Sequence, residues 1–169
     1  MAAVYLGIGS NLGDRQANID RAIALLKESK EIQIQAVSAM IETEPEGEGL
    51  EGKFLNGAIK IDTDLLPLDL LSRLKTVERR LGRTKSAPNT PRTMDLDILF
   101  YEDVVIFEGK NLHIPHPRLA ERKFVLQPLL EIAPDLVHPK LKKSIKQLYE
   151  ELCHDPTTSF FPPQAPQCY

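Results

Sequence analysis

Arg92-Thr93-Met94-Asp95-Leu96-Asp97-Ile98-Leu99-Phe100 is the stretch on which the reading of this chain turns. Apolar residues fall on every second position, and side chains along a strand alternate between faces. Met94, Leu96, Ile98 and Phe100 are therefore expected to point into a core, with Asp95 and Asp97 side by side on the other face. Two like carboxylates this close repel, and burial sharpens the repulsion. A divalent cation resolves the conflict. Magnesium is typically held by one or two carboxylates plus substrate phosphates, not by a full protein cage. Two such ions roughly 3.5–4 Å apart would clamp both sides of a transferring phosphoryl group. Taken alone, the pair also reads as a solvated strand face.

The preceding residues shift that balance. Between Arg79 and Met94 there is no acidic residue, but there are Arg79, Arg80, Arg83, Lys85 and Arg92. Arg79 and Arg80 fit a helix end, where cations complement the dipole. Lys85 and Arg92 lie beyond it and suit the oxygens of a polyphosphate whose metal the aspartates hold. Other phosphate motifs are missing: Leu12 stands where G-x-G-x-x-G after Gly7 needs glycine, and no G-x-x-x-x-G-K-[ST] occurs.

Toward the N-terminus, a strand is expected over residues 4–9, then a loop with Asp14 as N-cap and a helix with Ile19, Ala22, Ile23 and Leu26 on one face. A β-rich stretch runs over 32–43. A mobile loop with Gly47, Gly49 and Gly52 covers 44–53, and a strand covers 54–63. Pro67 suits the first position of a helix striped by Leu70, Leu74, Val77 and Leu81, and Gly82 ends it. After a polar loop over 83–91 come strands over 93–101 and 104–107. An extended segment over 112–117 follows, where Pro115 and Pro117 forbid helix. Helices over 119–132 and 141–152 complete the pattern. Strands that follow one another without an obligatory helix between them predict an α+β fold, an antiparallel sheet with helices packed on it. The length suits a single domain, taken as 1–155, with 156–169 a flexible C-terminal tail.

Net charge is −3, which gives no reason to expect nucleic acid or membrane as a partner. No basic n-region precedes the first strand, so a cytoplasmic location is expected. Cys153 and Cys168 share no metal-ligand spacing and are expected as free thiols. Phe54 and Asn56 lie two apart in a strand, so a ring and an amide share one face, which suits a heteroaromatic base or an ordinary core. Phe124 reads first as core. His116, between two prolines and followed by Arg118 and Arg122, reads equally as a phosphate-facing imidazole or an ordinary loop histidine.

Together these pieces resemble the 6-hydroxymethyl-7,8-dihydropterin pyrophosphokinases of folate biosynthesis. The resemblance rests on Gly7-Ile8-Gly9-Ser10-Asn11-Leu12-Gly13-Asp14, Phe54-Leu55-Asn56, Glu78 through Gly82-Arg83, Pro91 through Ile98, and Pro115-His116-Pro117-Arg118 through Phe124. The pieces span residues 4–139 in the family's order and are jointly specific.

The resemblance implies a ferredoxin-like fold, two Mg2+ ions, and transfer of pyrophosphate from ATP to 6-hydroxymethyl-7,8-dihydropterin with release of AMP. Asp95 and Asp97 match the metal ligands, and with Arg83 and Arg92 they form the implied catalytic set. Phe54 and Phe124 match the pterin sandwich, Asn56 the amide that reads its edge, and Thr43 and Glu46 the loop beside it. Glu78, Arg83, Lys85, Arg92, Ile98, His116 and Arg122 match positions around ATP. A monomer is expected. Three departures stand out: Asn89-Thr90 where Trp-Gly is common, Lys85 where Arg is frequent, and Ile41 where an aromatic is common. The alternatives are a catalytically silent pterin- or nucleotide-binding module of the same fold, and a nucleic-acid-binding domain using the basic loop.

Overall fold

The computed structural model describes residues 1–44, 52–82 and 93–155. The expected loops over 44–53 and 83–91, and the tail from 156, lie wholly or largely outside the described residues. Strand β1 (Ala2–Ser10) leads into helix α1 (Arg15–Lys27), whose first turn is closed by Asp14: its Oδ1 accepts from the Ala17 amide at 3.0 Å. Strands β2 (Ile32–Val37) and β3 (Ile41–Thr43) divide the expected β-rich stretch, and β4 is Phe54–Thr63. Helix α2 (Pro67–Arg80) starts on its proline. It ends before Gly82, whose φ of +90° favours glycine. Strand β5 (Asp95–Tyr101) carries the acidic pair. A hairpin of β6 (Ile106–Glu108) and β7 (Leu112–Ile114) follows, then a 3₁₀ turn at Leu119–Glu121 and helices α3 (Lys123–Ile132) and α4 (Ile145–His154).

The main sheet runs β2-β4-β1-β5, with β3 extending β4, and every pairing is antiparallel. Each of β1-α1-β2 and β4-α2-β5 skips a strand that the other supplies, which is the interleaving of a ferredoxin-like α+β fold.

Both sheet faces are covered. Val4, Leu6, Ile8, Ile59 and Ile61 pack with Ile19 and Leu26 of α1 and Leu70, Leu74 and Val77 of α2. Tyr5, Ala58, Leu99 and Phe100 pack with Leu126 and Leu129 of α3 and Leu148 and Tyr149 of α4. At about 25 cal/mol per Å² of apolar surface, the two cores are the main source of stability. Phe100 corrects the simple alternation. Tyr5 pairs with Phe100 but Leu6 with Ile98, leaving Leu99 as an extra residue. This bulge inverts the phase, so Phe100 joins Leu99 on the α3/α4 face while Met94, Leu96 and Ile98 stay in the α1/α2 core.

Cys153, near the end of α4, is disulfide-bonded, which corrects the expected free thiol. Cysteine count and spacing carry no Cα–Cα geometry, and pairing depends on that geometry.

Candidate active site

Ahead of the bulge, Asp95 and Asp97 alternate with buried Leu96 and Ile98 and so emerge together on the α3/α4 face, both half-buried. Their α-carbons are about 7 Å apart by strand geometry. Across β1 they pair with Gly9 and Gly7, and these glycines pair in turn with Asn56 and Ala58 of β4. Asn56, Gly9 and Asp95 therefore form one row across three adjacent strands. Strands lie about 4.8 Å apart, so the α-carbons of Asn56 and Asp95 stand roughly 10 Å from each other, with a residue that has no side chain between them. The floor has to be bare: a β-carbon on Gly9 would stand 2.6 Å from Asn56 Oδ1.

One wall of this groove is the front of β3 and β4. Thr43 pairs with Phe54 and Ile41 with Asn56, and Asn56 Nδ2 donates to Thr43 Oγ1 at 2.7 Å. That bond fixes which way the amide faces, leaving Oδ1 over Gly9. Phe54 is half-buried. Phe124, in the first turn of α3, is half-buried too, not the core residue it first resembled. The Arg122 guanidinium lies 5.5 Å from its ring centre, within cation–π range.

The other wall is the outer edge of β5, the last strand of the sheet order. His116 donates its amide to the Leu99 carbonyl at 3.0 Å, so the 115–118 segment runs along that edge. His116 Nδ1 accepts from the Arg118 amide at 3.3 Å, which leaves Nε2 to carry the proton of the neutral ring. Burial, and then the Arg122 charge, push the His116 pKa below its ordinary value, with Asp95 opposing. Glu78, at 1% exposure, lies beneath the edge: its Oε1 accepts from the Leu96 amide at 2.8 Å, and Lys75 Nζ stands 3.2 Å from Oε2. This buried carboxylate holds the backbone between the two aspartates.

Since the Leu96 amide points outward to Glu78, the two-residue period turns the Ile98 amide and carbonyl outward as well. They face an open cleft lined by Leu71 and Lys75 of α2, Asp97, Ile98, Lys110, His113 and His116. Leu71, Lys75, Lys110 and His113 were not singled out from the sequence, because segments this distant meet only in the fold. Gly9 was seen only as part of a motif. Arg83, Lys85, Arg92 and Glu46 lie outside the described residues, as do Asn89 and Thr90.

Among the described residues, no group of three or more His, Cys, Asp or Glu converges on one point. A two-carboxylate donor set fits magnesium completed by phosphate and water, and does not fit a closed structural metal site. No helix among them is long and apolar enough to cross a membrane.

Residues 5–134 match the family model of 7,8-dihydro-6-hydroxymethylpterin-pyrophosphokinase. The chain belongs to this family. A 2-amino-4-hydroxy-6-hydroxymethyldihydropteridine pyrophosphokinase of Aquifex aeolicus is 44% identical over 151 residues, covering 89% of this chain and 92% of its own length. The Bacillus subtilis protein of the same name is 44% identical over 76% of each chain. The folic acid synthesis protein fol1 of Schizosaccharomyces pombe is 42% identical over 88% of this chain, which spans only 20% of that larger protein. Among solved structures, a Plasmodium falciparum HPPK-DHPS superposes with a TM-score of 0.71 at 17% identity, over 89% of this chain and 44% of its own. At that identity the match speaks for the fold alone. Members of the pyrophosphokinase family are ATP-dependent transferases of folate biosynthesis that move a pyrophosphoryl group onto the hydroxymethyl group of the dihydropterin, and this chain is one of them.

Proposed function

We propose that this chain runs the family reaction in the groove between Asn56 and Asp95, with two magnesium ions held by Asp95 and Asp97. The row Asn56–Gly9–Asp95 carries the reading, because it sets a base-reading amide and a metal-binding carboxylate across one bare floor. The pterin ring lies between Phe54 and Phe124, with Thr43 and Asn56 at its edge and Glu46 on the neighbouring loop. ATP enters from the β5 edge, its base against the outward amide and carbonyl of Ile98. Its phosphates reach toward Asp97, His116 and Arg122, with Arg83, Lys85 and Arg92 supplying further charge.

When bound, the metal neutralises phosphate charge and aligns the reacting oxygens. The hydroxymethyl oxygen attacks the β-phosphorus in line and releases its proton to solvent. The bond from that phosphorus to the bridging oxygen breaks, and AMP leaves with the oxygen. The protein contributes position and charge. Asp95 orients the hydroxyl, and the neutral His116 offers an Nε2 proton to a phosphate oxygen. Phe54, Phe124 and the β3 stem exclude water. Glu78 acts from below through Leu96, although its motif position adjoins ATP.

The working unit in this reading is a single copy, with residues 1–155 as the catalytic domain. The need for ATP supports a cytoplasmic location, although the disulfide at Cys153 is of a kind less frequent there. The test is AMP production from ATP. Dependence on both magnesium and the hydroxymethyl pterin is expected, with Phe54→Ala raising the KM for pterin and not for ATP. AMP release without pterin, or a Phe54→Ala defect confined to ATP, would overturn the assignment.

A further inference from the structure

The back of the sheet carries a cation outside the groove. Arg15 is the first residue of α1, on the α1/α2 side. One of its guanidinium nitrogens donates to the Lys53 carbonyl at 2.8 Å, and both terminal nitrogens reach Glu42 Oε1 at 3.2 Å. Glu42 and Thr43 are consecutive in β3, so their side chains leave opposite faces. Lys53 directly precedes Phe54. From behind, then, Arg15 grips the two chain ends whose front faces carry Thr43 and Phe54, and through Thr43 the Asn56 amide. Two further contacts join the same ends. Lys53 Nζ lies 3.5 Å from Glu44, and Gly52 passes so close to the first loop that a β-carbon there would stand 3.3 Å from the Asn11 carbonyl.

We propose that Arg15 is a positioning residue for the pterin pocket: it fixes the β3 and β4 stems against α1, and thereby the Phe54 ring and the Thr43–Asn56 pair, without touching substrate. This rests on reading the Phe54–Asn56 groove as the pterin site. The geometry calls for arginine. One planar fork serves a carboxylate and a carbonyl together, whereas a lysine ammonium is a single point charge that does not span both in the same way. The side chains of Arg15 and Glu42 are 30% and 50% exposed, so solvent screens the pair and the effect is modest.

The experiment measures KM for pterin, KM for ATP, kcat and melting temperature for wild type, Arg15→Ala, Arg15→Lys, Glu42→Gln and Asn56→Ala. Arg15→Ala is expected to raise the pterin KM about fivefold, with the ATP KM and kcat within about twofold of wild type. Arg15→Lys should restore less than half of the loss. Glu42→Gln weakens the same bridge from its other end and should shift the pterin KM in the same direction, which covers the case of an Arg15 variant that folds poorly. An unchanged pterin KM in both Arg15→Ala and Glu42→Gln, or a parallel rise in both KM values, overturns the positioning role. Asn56→Ala separates the two layers of the account. If it leaves the pterin KM unchanged, the pocket reading fails. If it raises that KM while Arg15→Ala does not, the pocket stands and the role of Arg15 falls.

Discussion

Asn56 leans over Gly9 so closely that a β-carbon at position 9 would stand 2.6 Å from its Oδ1. The contact joins the second strand-pair of the motif Gly7-Ile8-Gly9 to the amide that faces the groove. An added methyl group must displace that amide, and with it the Nδ2 bond to Thr43. We expect Gly9→Ala to raise the pterin KM about tenfold or more, and to lower stability by about 1–3 kcal/mol, the usual range for overpacking. Steady-state kinetics and urea denaturation check the two parts. A variant with wild-type pterin KM would remove Gly9 from the floor.

Glu78 and Leu96 give a second test. A carboxylate at 1% exposure accepts the amide of the residue between the two aspartates. Truncating it leaves that buried N–H without this acceptor, a change of about 1–3 kcal/mol. Glu78→Ala should unfold at lower urea and lose activity together, since the backbone that aims Asp95 and Asp97 is loosened. Glu78→Gln keeps an acceptor oxygen and should recover most of the stability. If Glu78→Ala unfolds at the wild-type midpoint, the bond is not a support of β5.

The acid side of the stability curve should depend on His138. It is 6% exposed, meets Phe100 edge-on at 5.6 Å, and its Nδ1 accepts from the amides of Lys140 and Leu141, both at 3.2 Å. Burial first, and the Lys140 charge second, hold its pKa below the ordinary 6.5. The sign follows from linkage. The unfolded chain takes up the proton at a higher pH than the folded one, so stability is full above pH 6.5 and is lost as pH falls below it. Urea midpoints between pH 8 and roughly pH 5 should fall on the acid side, and His138→Asn, which offers an oxygen acceptor that does not titrate, should flatten the fall. His116 is shifted in the same direction, so part of the slope will remain. An identical slope in His138→Asn would contradict the assignment.

Much of this layout was readable from local chemistry. The Asp14 cap, the Pro67 start, the Gly82 stop and the Leu70–Leu74–Val77 stripe are each set within a few residues, and each lies where the periodicity placed it. The acidic pair and the Phe54–Asn56 face follow from strand alternation. Alternation failed at Leu99, where the extra residue depends on pairing with β1 and leaves no mark in β5 itself. The bare floor at Gly9 was hidden for the same reason: its meaning comes from its neighbours on both sides. The cleft beside Ile98 joins residues 71 and 75, 96–98 and 110–117, which no local pattern links. Arg15 carried no signal in the sequence, because Glu42 and the Lys53 carbonyl meet it only in the fold.

Asp97 lines the cleft beside Ile98 and shares the groove face with Asp95, so the proposed chemistry depends on it most. The most direct measurement is AMP formation by Asp97→Ala at saturating magnesium, ATP and pterin, with circular dichroism and melting temperature alongside. A fall in kcat of about a hundredfold to a thousandfold or more is expected, in line with removal of a preorganised electrostatic group, with the fold retained. A well-folded Asp97→Ala that turns over near the wild-type rate would contradict the account.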